Sequence, residues 1–221
     1  MARRGYGQHC GLARALEIVG ERWALLIVRD LLVSPRRYTD LQRGLPRIPT
    51  NILSSRLKEL EQAGVVGRWV LPRPATSIVY GLTDYGAELE GVVLALGRWG
   101  ARALGEHAPD EIVTVDSLIM AARAAFRPEA AAELRAGYEL RFDDVVFHVR
   151  VDGGRLVAAA GPLPGADLVI EGGPGCRAML AGEIGPAEAI ATGRVRVAGD
   201  PELLTRFVEI FRVAPADEAA A

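Results

Sequence analysis

The sequence predicts an α+β protein, and three observations support that fold class. Apolar residues recur at helical spacing through residues 11–60. The pattern then changes, because 65–71 and 78–82 are rich in Val, Ile, Trp and Tyr, as in a two-stranded hairpin. In the second half of the 221 residues, strand patterns are followed by helix patterns, an order that suggests an α+β layer pair.

Two helices are expected near the amino terminus. The first covers 11–19 and ends at Gly20. The second covers about 22–32 and ends before Pro35. Their apolar faces are formed by Leu12, Ala15, Leu16 and Val19 in the first helix and by Trp23, Leu26, Ile27 and Leu31 in the second. Each helix therefore has one face to bury.

A short third helix and a longer fourth helix follow. The third begins at a capping box formed by Thr39 and Gln42. The fourth has Thr50 as its expected N-cap and Gly64 as its C′ residue. Its apolar stripe is Leu53, Leu57 and Leu60, and its other face carries Asn51, Ser54, Ser55 and Lys58. Small polar side chains are mediocre helix formers, so their grouping on one face calls for an explanation.

The hairpin has a basic, proline-bearing tip at 72–77 that includes Arg73. Thr83 then caps a long helix over about 84–104, although its glycines weaken the case for an unbroken helix. The complete order is helix, helix, short helix, helix, hairpin, helix. This order predicts a winged helix-turn-helix domain over residues 1–108, with the turn at 45–47 and the hairpin as the wing.

A DNA-reading helix explains the small polar face of the fourth helix. The second helix of such a unit enters the major groove, where bulky side chains do not fit. Asn51 can pair with adenine, Ser54 with several base edges, and Lys58 with guanine or phosphate. Arg73 at the wing tip can reach the minor groove or the DNA backbone. The alternative is an ordinary solvated helix face in an α/β domain.

Blocks of sequence within residues 10–100 carry a family resemblance. They read CGLARAL at 10–16, GERW at 20–23 with LL at 31–32, PRRYTDL at 35–41, IPTNILSSRLKEL at 48–60, EQAG at 61–64 and YGLTDYG at 80–86. In this order and spacing they closely resemble HxlR-type winged-helix transcriptional regulators.

That resemblance implies a homodimer that binds double-stranded operator DNA, with dimer contacts from the first helix and from the long helix after the wing. It also implies that Arg36, Arg37 and the 50–58 helix face the DNA. The candidate DNA-binding residues are Arg36, Arg37, Thr39, Thr50, Asn51, Ser54, Ser55, Lys58 and Arg73.

Members of the same family often carry a redox-reactive cysteine at the place of Cys10. A reactive thiol needs a lowered pKa and access to solvent, and Arg14 and His9 are neighbours that could lower it. The alternative is a buried, inert cysteine on a dimer helix, since free cysteine is among the most buried residue types.

The sequence of the second half predicts a helix over about 116–126, followed by strands and further helices. The strands are expected at 136–142, 145–151, 156–160, 166–171 and 194–197, and the later helices at 176–181, 186–191 and 201–211. The motifs ADLVI at 166–170, LAGEIGPAEAI at 180–190, TGRVRV at 192–197, GDP at 199–201 and LLTRFVEIF at 203–211 resemble the sterol-carrier-protein-2 fold. The resemblance covers about 112–213 and implies a sheet covered by helices.

The sterol-carrier resemblance also implies an apolar cavity for a small hydrophobic ligand. The candidate cavity residues are Leu118, Ile119, Phe126, Phe142, Phe147, Leu168, Ile170, Met179, Leu180, Phe207 and Phe211. Each of these side chains could equally belong to a solid core.

Charge separates the two halves. Residues 1–110 carry 15 basic and 11 acidic residues, a net charge of +4, and residues 111–221 carry 11 and 17, a net charge of −6. A basic first half suits a polyanionic partner. Cys10 and Cys176 are far apart, which favours a reducing cytoplasm, and we expect neither a signal peptide nor a membrane span.

The sequence contains little that suggests catalysis. His9, His107 and His148 lack metal-ligand spacing, and the GGPG stretch at 172–175 lacks the features of a phosphate-binding loop. We therefore expect no enzyme, cofactor or structural metal.

The function expected is a cytoplasmic, homodimeric, sequence-specific DNA-binding regulator, controlled by an apolar ligand or by oxidation of Cys10. The alternative is a carrier of lipids or small hydrophobic ligands in which the winged helix is only a dimer scaffold.

Overall fold

The computed structural model describes residues 5–70, 77–104 and 111–213. The chain has mixed α and β structure and divides into two compact units between Val93 and Leu94. The first unit and the helix that spans the division consist of α1 (Gly11–Val19), α2 (Ala24–Val33), α3 (Tyr38–Gly44), α4 (Thr50–Gln62), β1 (Val66–Val70), β2 (Ile78–Leu82), α5 (Asp84–Ala87) and α6 (Glu90–Ala101).

The core of the first unit is formed by apolar side chains from α2, α3, α4 and β1. Ile27, Leu41 and Leu53 are fully buried there. The predicted stripe of α4 is confirmed, because Leu53, Leu57 and Leu60 all join this cluster. Leu45 and Ile48, in the connection between α3 and α4, are also buried and fix the angle between the two helices. Burial of this stripe leaves the opposite face of α4 in solvent.

Three predicted helix starts are wrong by one or two residues. Helix α2 begins at Ala24 because Trp23 has a φ of 79°, a left-handed conformation that cannot continue a helix. Helix α3 begins at Tyr38, and the Asp40 carboxylate accepts the Arg37 N–H at 3.3 Å, so the capping box at Thr39 is wrong. Thr50 is the first helical residue of α4, preceded by Pro49. At the other end of α4, the prediction for Gly64 is confirmed by its φ of 74°.

The wing consists of β1 and β2, which pair in antiparallel register. Arg36 adds a third segment to it, because its N–H donates to Tyr80 O at 2.8 Å and its carbonyl accepts the Tyr80 N–H at 2.7 Å. The tip, 71–76, lies outside the described residues, and Arg73 with it. The backbone bridge at Arg36 therefore ties the segment before α3 to the base of the wing.

The long helix predicted after the wing is two helices. Thr83 caps α5 as expected, since its Oγ1 accepts the Gly86 N–H at 3.0 Å. The helix is interrupted after α5, where Leu89 N–H donates to Gly86 O at 3.1 Å instead of to the residue four positions back. Gly86 packs closely against the residue that precedes β1, because a Cβ there would lie 2.0 Å from Val65 O. Helix α6 ends at Ala101 rather than at Leu104.

The second unit contains one sheet with helices on one face. Its elements are α7 (Val115–Ala125), a 3-10 turn (Glu129–Ala131), β3 (Arg135–Phe142), β4 (Val145–Asp152), β5 (Arg155–Ala160), β6 (Leu168–Glu171), α8 (Pro174–Ala181), α9 (Pro186–Ala191), β7 (Arg196–Gly199) and α10 (Glu202–Ile210). The strand order is β5-β4-β3-β6-β7, with β3 and β6 parallel and the other neighbours antiparallel. The predicted α+β order of this half is confirmed, and β7 begins two residues later than predicted.

Alternation along the strands gives the sheet one covered and one uncovered face. Tyr138, Val149 and Leu168 lie on the covered face and are fully buried, and the Tyr138 ring packs 5.2 Å from that of Phe207 in α10. Helix α7 packs on β4 and β5 on the same side. On the other face, Arg150 and Val157 are exposed. The turns that join β3 to β4 and β4 to β5 have positive φ at Asp143, Gly153 and Gly154.

Neither the sterol-carrier identity of this half nor its predicted boundary at 108–112 is tested by this architecture. Residues 105–110 lie outside the described part of the chain. Within the described residues, no helix has the length and apolar character needed to cross a membrane.

Candidate nucleic-acid interface

The solvent-facing side of α4 carries the polar side chains that the sequence singled out. Asn51, Ser54, Ser55 and Lys58 are all exposed, and Thr50 at the start of the helix is exposed as well. Their exposure follows from the burial of the leucine stripe on the other side of the helix. A narrow polar surface of this kind can enter a DNA groove without displacing bulky groups.

The two serines of this face already have hydrogen-bond partners. Ser54 Oγ lies 3.0 Å from Thr50 O and 3.2 Å from Tyr38 Oη, and Tyr38 Oη donates to Thr50 O at 2.8 Å. Ser55 Oγ donates to Glu59 Oε1 at 2.9 Å. Ser54, Thr50 and Tyr38 therefore form a small network between α3 and α4, which fixes the orientation of the Ser54 hydroxyl.

Asn51 and Lys58 differ from the serines. Neither side chain has a hydrogen bond or an ion pair within the described residues. The Asn51 amide has two donors and an acceptor, and the Lys58 ammonium has three donors. The hydrogen-bonding groups of these two side chains therefore remain available to a ligand.

Arg36, Arg37 and Thr39 lie before and within α3. Arg37 and Thr39 are exposed, whereas Arg36 is half-buried and is held by its backbone at the base of the wing. The structure thus brings α4, the start of α3 and the wing base into one unit, as expected. It provides no position for Arg73, which lies outside the described residues.

Two residues near this surface were missed by the sequence reasoning. Tyr38 contributes the hydroxyl that joins α3 to α4, and Arg68 lies exposed on β1 with an ion pair to Glu61 at 3.7 Å. Tyr38 follows two arginines at the start of a helix, a position that could have suggested it. By contrast, Arg56 in α4 is partly buried and pairs with Glu21 at 3.3 Å and with Glu59, so it holds the helix in place.

Cys10 is exposed and is the N-cap residue of α1. The nearby backbone N–H groups of Ala13 and Leu12, in the first turn of α1, lower the pKa of its thiol. Arg14 forms an ion pair with Glu17 at 2.6 Å. The pKa of the Cys10 thiol is therefore lowered by backbone groups at the start of α1 and not, as predicted, by Arg14. This exposure is that of a single chain, and burial of the thiol in a dimer stays an open alternative. Burial raises the pKa of the other thiol, Cys176, to about 11.

The apolar faces of α1 and α6 are only partly covered. In α1, Leu12 is 69% exposed and Leu16 is also exposed, while Ala13 and Val19 are buried. In α6, Trp99 is 73% exposed, and Val92 and Leu96 are exposed as well. Large apolar side chains grouped on helix faces in this way are typical of protein–protein contact surfaces.

The candidate cavity residues of the second unit lie in or beside its core. Seven are buried and four are half-buried: Ile119, Phe147, Leu168, Ile170, Met179, Phe207 and Phe211 in the first group, and Leu118, Phe126, Phe142 and Leu180 in the second. The Phe126, Phe207 and Phe211 rings pack together at centroid distances of 5.5 and 4.7 Å. These three rings pack against one another, and the role of the candidate residues as a cavity wall stays a prediction.

A cavity of about 260 Å³ lies beside this core, between α8, α9 and the end of α10. It is partly open to solvent, and its wall includes the apolar Met179, Ile184 and Val208 and the charged Glu183, Glu188 and Arg212. Met179 is the one candidate residue that borders it. Among the residues that the structure describes, no group of three or more His, Cys, Asp or Glu side chains could hold a metal ion.

Comparison with known proteins assigns the amino-terminal half. Residues 18–108 match the HxlR-like helix-turn-helix family. The chain is 40% identical over 86 residues to YvaP of Bacillus subtilis (strain 168), an uncharacterized HTH-type transcriptional regulator, covering 39% of this chain and 80% of YvaP. It is 36% identical over 85 residues to the HTH-type transcriptional regulator YodB of the same organism, covering 38% of this chain and 76% of YodB. The solved structure of reduced YodB has 31% identity, covers 46% of this chain and all of that chain, and has a TM-score of 0.40.

The similarity to YvaP extends over most of that regulator. The family match over residues 18–108 includes α2 to α6. The chain therefore belongs to the HxlR-like helix-turn-helix family.

Proposed function

We propose that this protein is a sequence-specific DNA-binding transcriptional regulator that acts as a homodimer. The observation that carries the proposal is the exposed face of α4, where Asn51 and Lys58 have free hydrogen-bonding groups beside a leucine stripe that is fully buried. In this proposal the amino-terminal part of α4 enters the major groove, Asn51 contacts a base edge, and Lys58 contacts guanine or phosphate.

Two further observations support the DNA-binding role. The relatives YvaP and YodB are HTH-type transcriptional regulators. Residues 1–110 carry a net charge of +4, with Arg37 exposed at the start of α3 for phosphate contact. Thr39, Thr50, Ser54, Ser55 and Arg73 complete the proposed contact set with Arg36 and Arg37.

The homodimer would use the exposed apolar faces of α1 and α6. Leu12 and Leu16 on the first helix, and separately Leu96 and Trp99 on the second, are large exposed apolar side chains that a partner would cover. A two-fold dimer would read a pseudo-palindrome with half-sites about 34 Å apart, one turn of DNA.

Titration of the purified protein with duplex DNA from upstream of its own gene, at low and moderate salt, tests the DNA-binding role. We expect saturable binding that weakens with salt, and a Lys58→Ala variant whose salt slope falls by about one if Lys58 contacts phosphate. Gln62→Ala, an exposed change at the end of the same helix, is the control. The absence of binding at low salt, in protein shown to be folded, would contradict the proposal.

We further propose that DNA binding is controlled through the second half or through Cys10. The sterol-carrier resemblance of 112–213 and the cavity of about 260 Å³ support a small hydrophobic effector. Such a ligand acts only if the DNA-competent and incompetent dimers bind it with unequal affinity. Mass spectrometry of ligand carried through native purification tests this, and a ligand that leaves operator affinity unchanged would exclude effector control.

Oxidation of Cys10 is the second route of control. Its exposure and lowered pKa support the reactive role, and Cys176, whose pKa is about 11, provides a matched control. Peroxide should change operator affinity in the native protein and in Cys176→Ser, but leave Cys10→Ser unchanged. A Cys10→Ser variant that still responds would rule the thiol out as the sensor.

The cavity also favours a second candidate function, a carrier of small hydrophobic molecules in which the winged helix serves only for dimerisation. The upstream DNA titration separates the two candidates. A carrier would bind ligand but would show equal, weak affinity for upstream and scrambled duplexes.

A further inference from the structure

Strand β5 forms one free edge of the sheet in the second unit. Its partner is β4 on one side, and within the described residues no strand lies on the other side. The strand has six residues with no proline, no inward-pointing charge and no break in its register with β4. Natural proteins use prolines, inward-pointing charges and bulges to prevent strand addition at an edge, and β5 lacks all three. The opposite edge, β7, has four residues and ends at Gly199, so β5 is the longer edge.

The free backbone groups of β5 can be assigned from the ladder. Gly161 N–H donates to Val146 O at 2.9 Å, which continues the register of β4 and β5. Because bonded and non-bonded pairs alternate along an antiparallel ladder, residues 155, 157 and 159 bond β4. The N–H and C=O groups of Leu156, Ala158 and Ala160 therefore point outward. An added strand would find three donors and three acceptors in line.

The charges beside this edge are positive. Arg150 and Arg155 are exposed on the uncovered face, and neither forms an ion pair within the described part of the chain. Between them lies Val157, which is opposite Arg150 in the register and is 62% exposed. The nearby Asp152 is bound to Arg135 at 2.8 Å. Asp152 is also opposite Arg155 in the register, so the positive charge that remains without an ion pair on this face is that of Arg150 and Arg155.

We propose that β5 accepts an extended acidic segment of a partner protein as an additional strand. In this arrangement the outward backbone groups of β5 bond the segment, and its alternate carboxylates, which share the uncovered face with Val157, pair with Arg150 and Arg155. Main-chain bonds provide affinity and the side chains of alternate residues provide selectivity, as in other strand-addition complexes.

The same observations disfavour two other occupants. A second copy of this chain, paired through β5, would bring Arg150 and Arg155 to a surface that is already positive and would offer them no carboxylate. DNA presents a continuous array of phosphates, for which two unpaired arginines in a unit of net charge −6 are a poor match. A short acidic strand sees mainly the local charge, because screening limits the wider field to about 10 Å at 0.1 M salt.

The test uses the full-length protein and a fluorescent, end-blocked heptapeptide in which Glu alternates with Val. The same peptide with Lys in place of Glu is the control. We expect saturable anisotropy changes with the Glu peptide, weakened by salt, and no comparable binding of the Lys peptide. Arg150→Ala and Arg155→Ala should each reduce affinity about two- to fivefold, the range for one exposed ion pair. Arg194→Ala, an exposed arginine near the opposite edge, should leave affinity unchanged.

A second variant tests the backbone part of the proposal. Ala160→Pro removes one outward N–H at an exposed position without removing a bond to β4, and it should reduce peptide binding. Circular dichroism and thermal melting check its fold. If it does not fold, the paired charge reversals Arg150→Glu and Arg155→Glu replace it, and they should favour the Lys peptide.

Several results would overturn the proposal. These are equal binding of the Glu and Lys peptides, wild-type peptide affinity in the arginine variants, and wild-type peptide affinity in folded Ala160→Pro. A loss of DNA affinity in the arginine variants without loss of peptide binding would assign the face to DNA. A fall in sedimentation mass of Ala160→Pro would assign the edge to a second copy.

Discussion

Glu139 shows how a single buried carboxylate can fix the shape of the second unit. One carboxylate oxygen accepts the Leu163 N–H at 2.8 Å, and the other accepts Arg141 Nε at 2.8 Å. The Leu163 N–H, followed by Arg141, lowers the pKa of Glu139 from its usual 4.5. The carboxylate thereby holds the loop after β5 over Gly137, where Leu163 Cδ2 would lie 2.8 Å from an added Cβ.

The lowered pKa of Glu139 predicts a pH-dependent contribution to stability. Because the folded pKa is below the unfolded value of 4.5, the contribution is complete above pH 4.5 and is lost as the pH falls through the folded value. Glu139→Gln should lower the free energy of unfolding by about 1–2 kcal/mol near neutral pH. In urea titrations the gap to wild type should close at acid pH.

Asp152→Asn, which removes an exposed ion pair, is the control and should change stability little at either pH. A gap between Glu139→Gln and wild type that persists unchanged below the folded pKa would contradict the assigned role.

At the same scale, the sequence predicted the exposure of the α4 side chains but not their partners. The stripe Leu53, Leu57, Leu60 determines which side of α4 is buried, so the exposed side follows from helical periodicity alone. The hydroxyl of Tyr38 meets Ser54 only because α3 and α4 cross there, a contact over 16 residues that no local pattern encodes. Whether the Asn51 amide has a hydrogen-bond partner likewise depends on the tertiary structure and not on a local pattern.

At the scale of elements, Gly86 and Gly91 have different structural roles. Gly86 in α5 touches the carbonyl of Val65, and a Cβ there would approach it to 2.0 Å. Gly91 in α6 has open space where its Cβ would be. The first glycine is required by close packing of a helix on a strand, and the second only weakens its helix.

Alanine substitutions at Gly86 and Gly91 should therefore have opposite effects on the stability of the protein. Gly86→Ala should destabilise the protein by about 1–3 kcal/mol, because the helix must move away from the strand. Gly91→Ala should stabilise it by up to about 1 kcal/mol through higher helix propensity. Thermal or urea unfolding measures both, and similar effects of the two substitutions would show that the contact at Gly86 is not tight.

Element types were more predictable than element ends. The predicted bounds of α1, β2 and α9 match the structure, because each is delimited by Gly, Pro or Thr at its ends. The start of α2 was missed because the left-handed backbone of Trp23 is uncommon for a bulky residue. The interruption between α5 and α6 lies beside Gly86, whose close contact with Val65 joins residues that are distant in the sequence.

At the scale of the whole molecule, the proposed homodimer gives a direct test. Leu16→Glu places a charge on the exposed apolar face of α1 and should shift the protein towards monomer in sedimentation. DNA affinity should fall with it, because a monomer contacts one half-site. Ile190→Glu, at an exposed apolar position on α9, should leave the mass unchanged. A Leu16→Glu protein with unchanged mass and DNA affinity would exclude this face as the dimer contact.

Whole-molecule organisation was predictable for the DNA-binding half and only partly for the other. A winged helix-turn-helix has a fixed order of elements, so ordered motifs within residues 10–100 could identify it. A cavity depends on how tightly side chains from distant elements pack, as the rings of Phe126, Phe207 and Phe211 do here, and apolar composition alone does not determine that packing.

The most direct test of the central claim compares Asn51→Ala with wild type on an operator duplex and on a scrambled duplex. If the exposed face of α4 reads bases, Asn51→Ala should lose about 1–3 kcal/mol of binding free energy on the operator and little on the scrambled duplex. Equal losses on both duplexes, or no loss on either, would contradict the account.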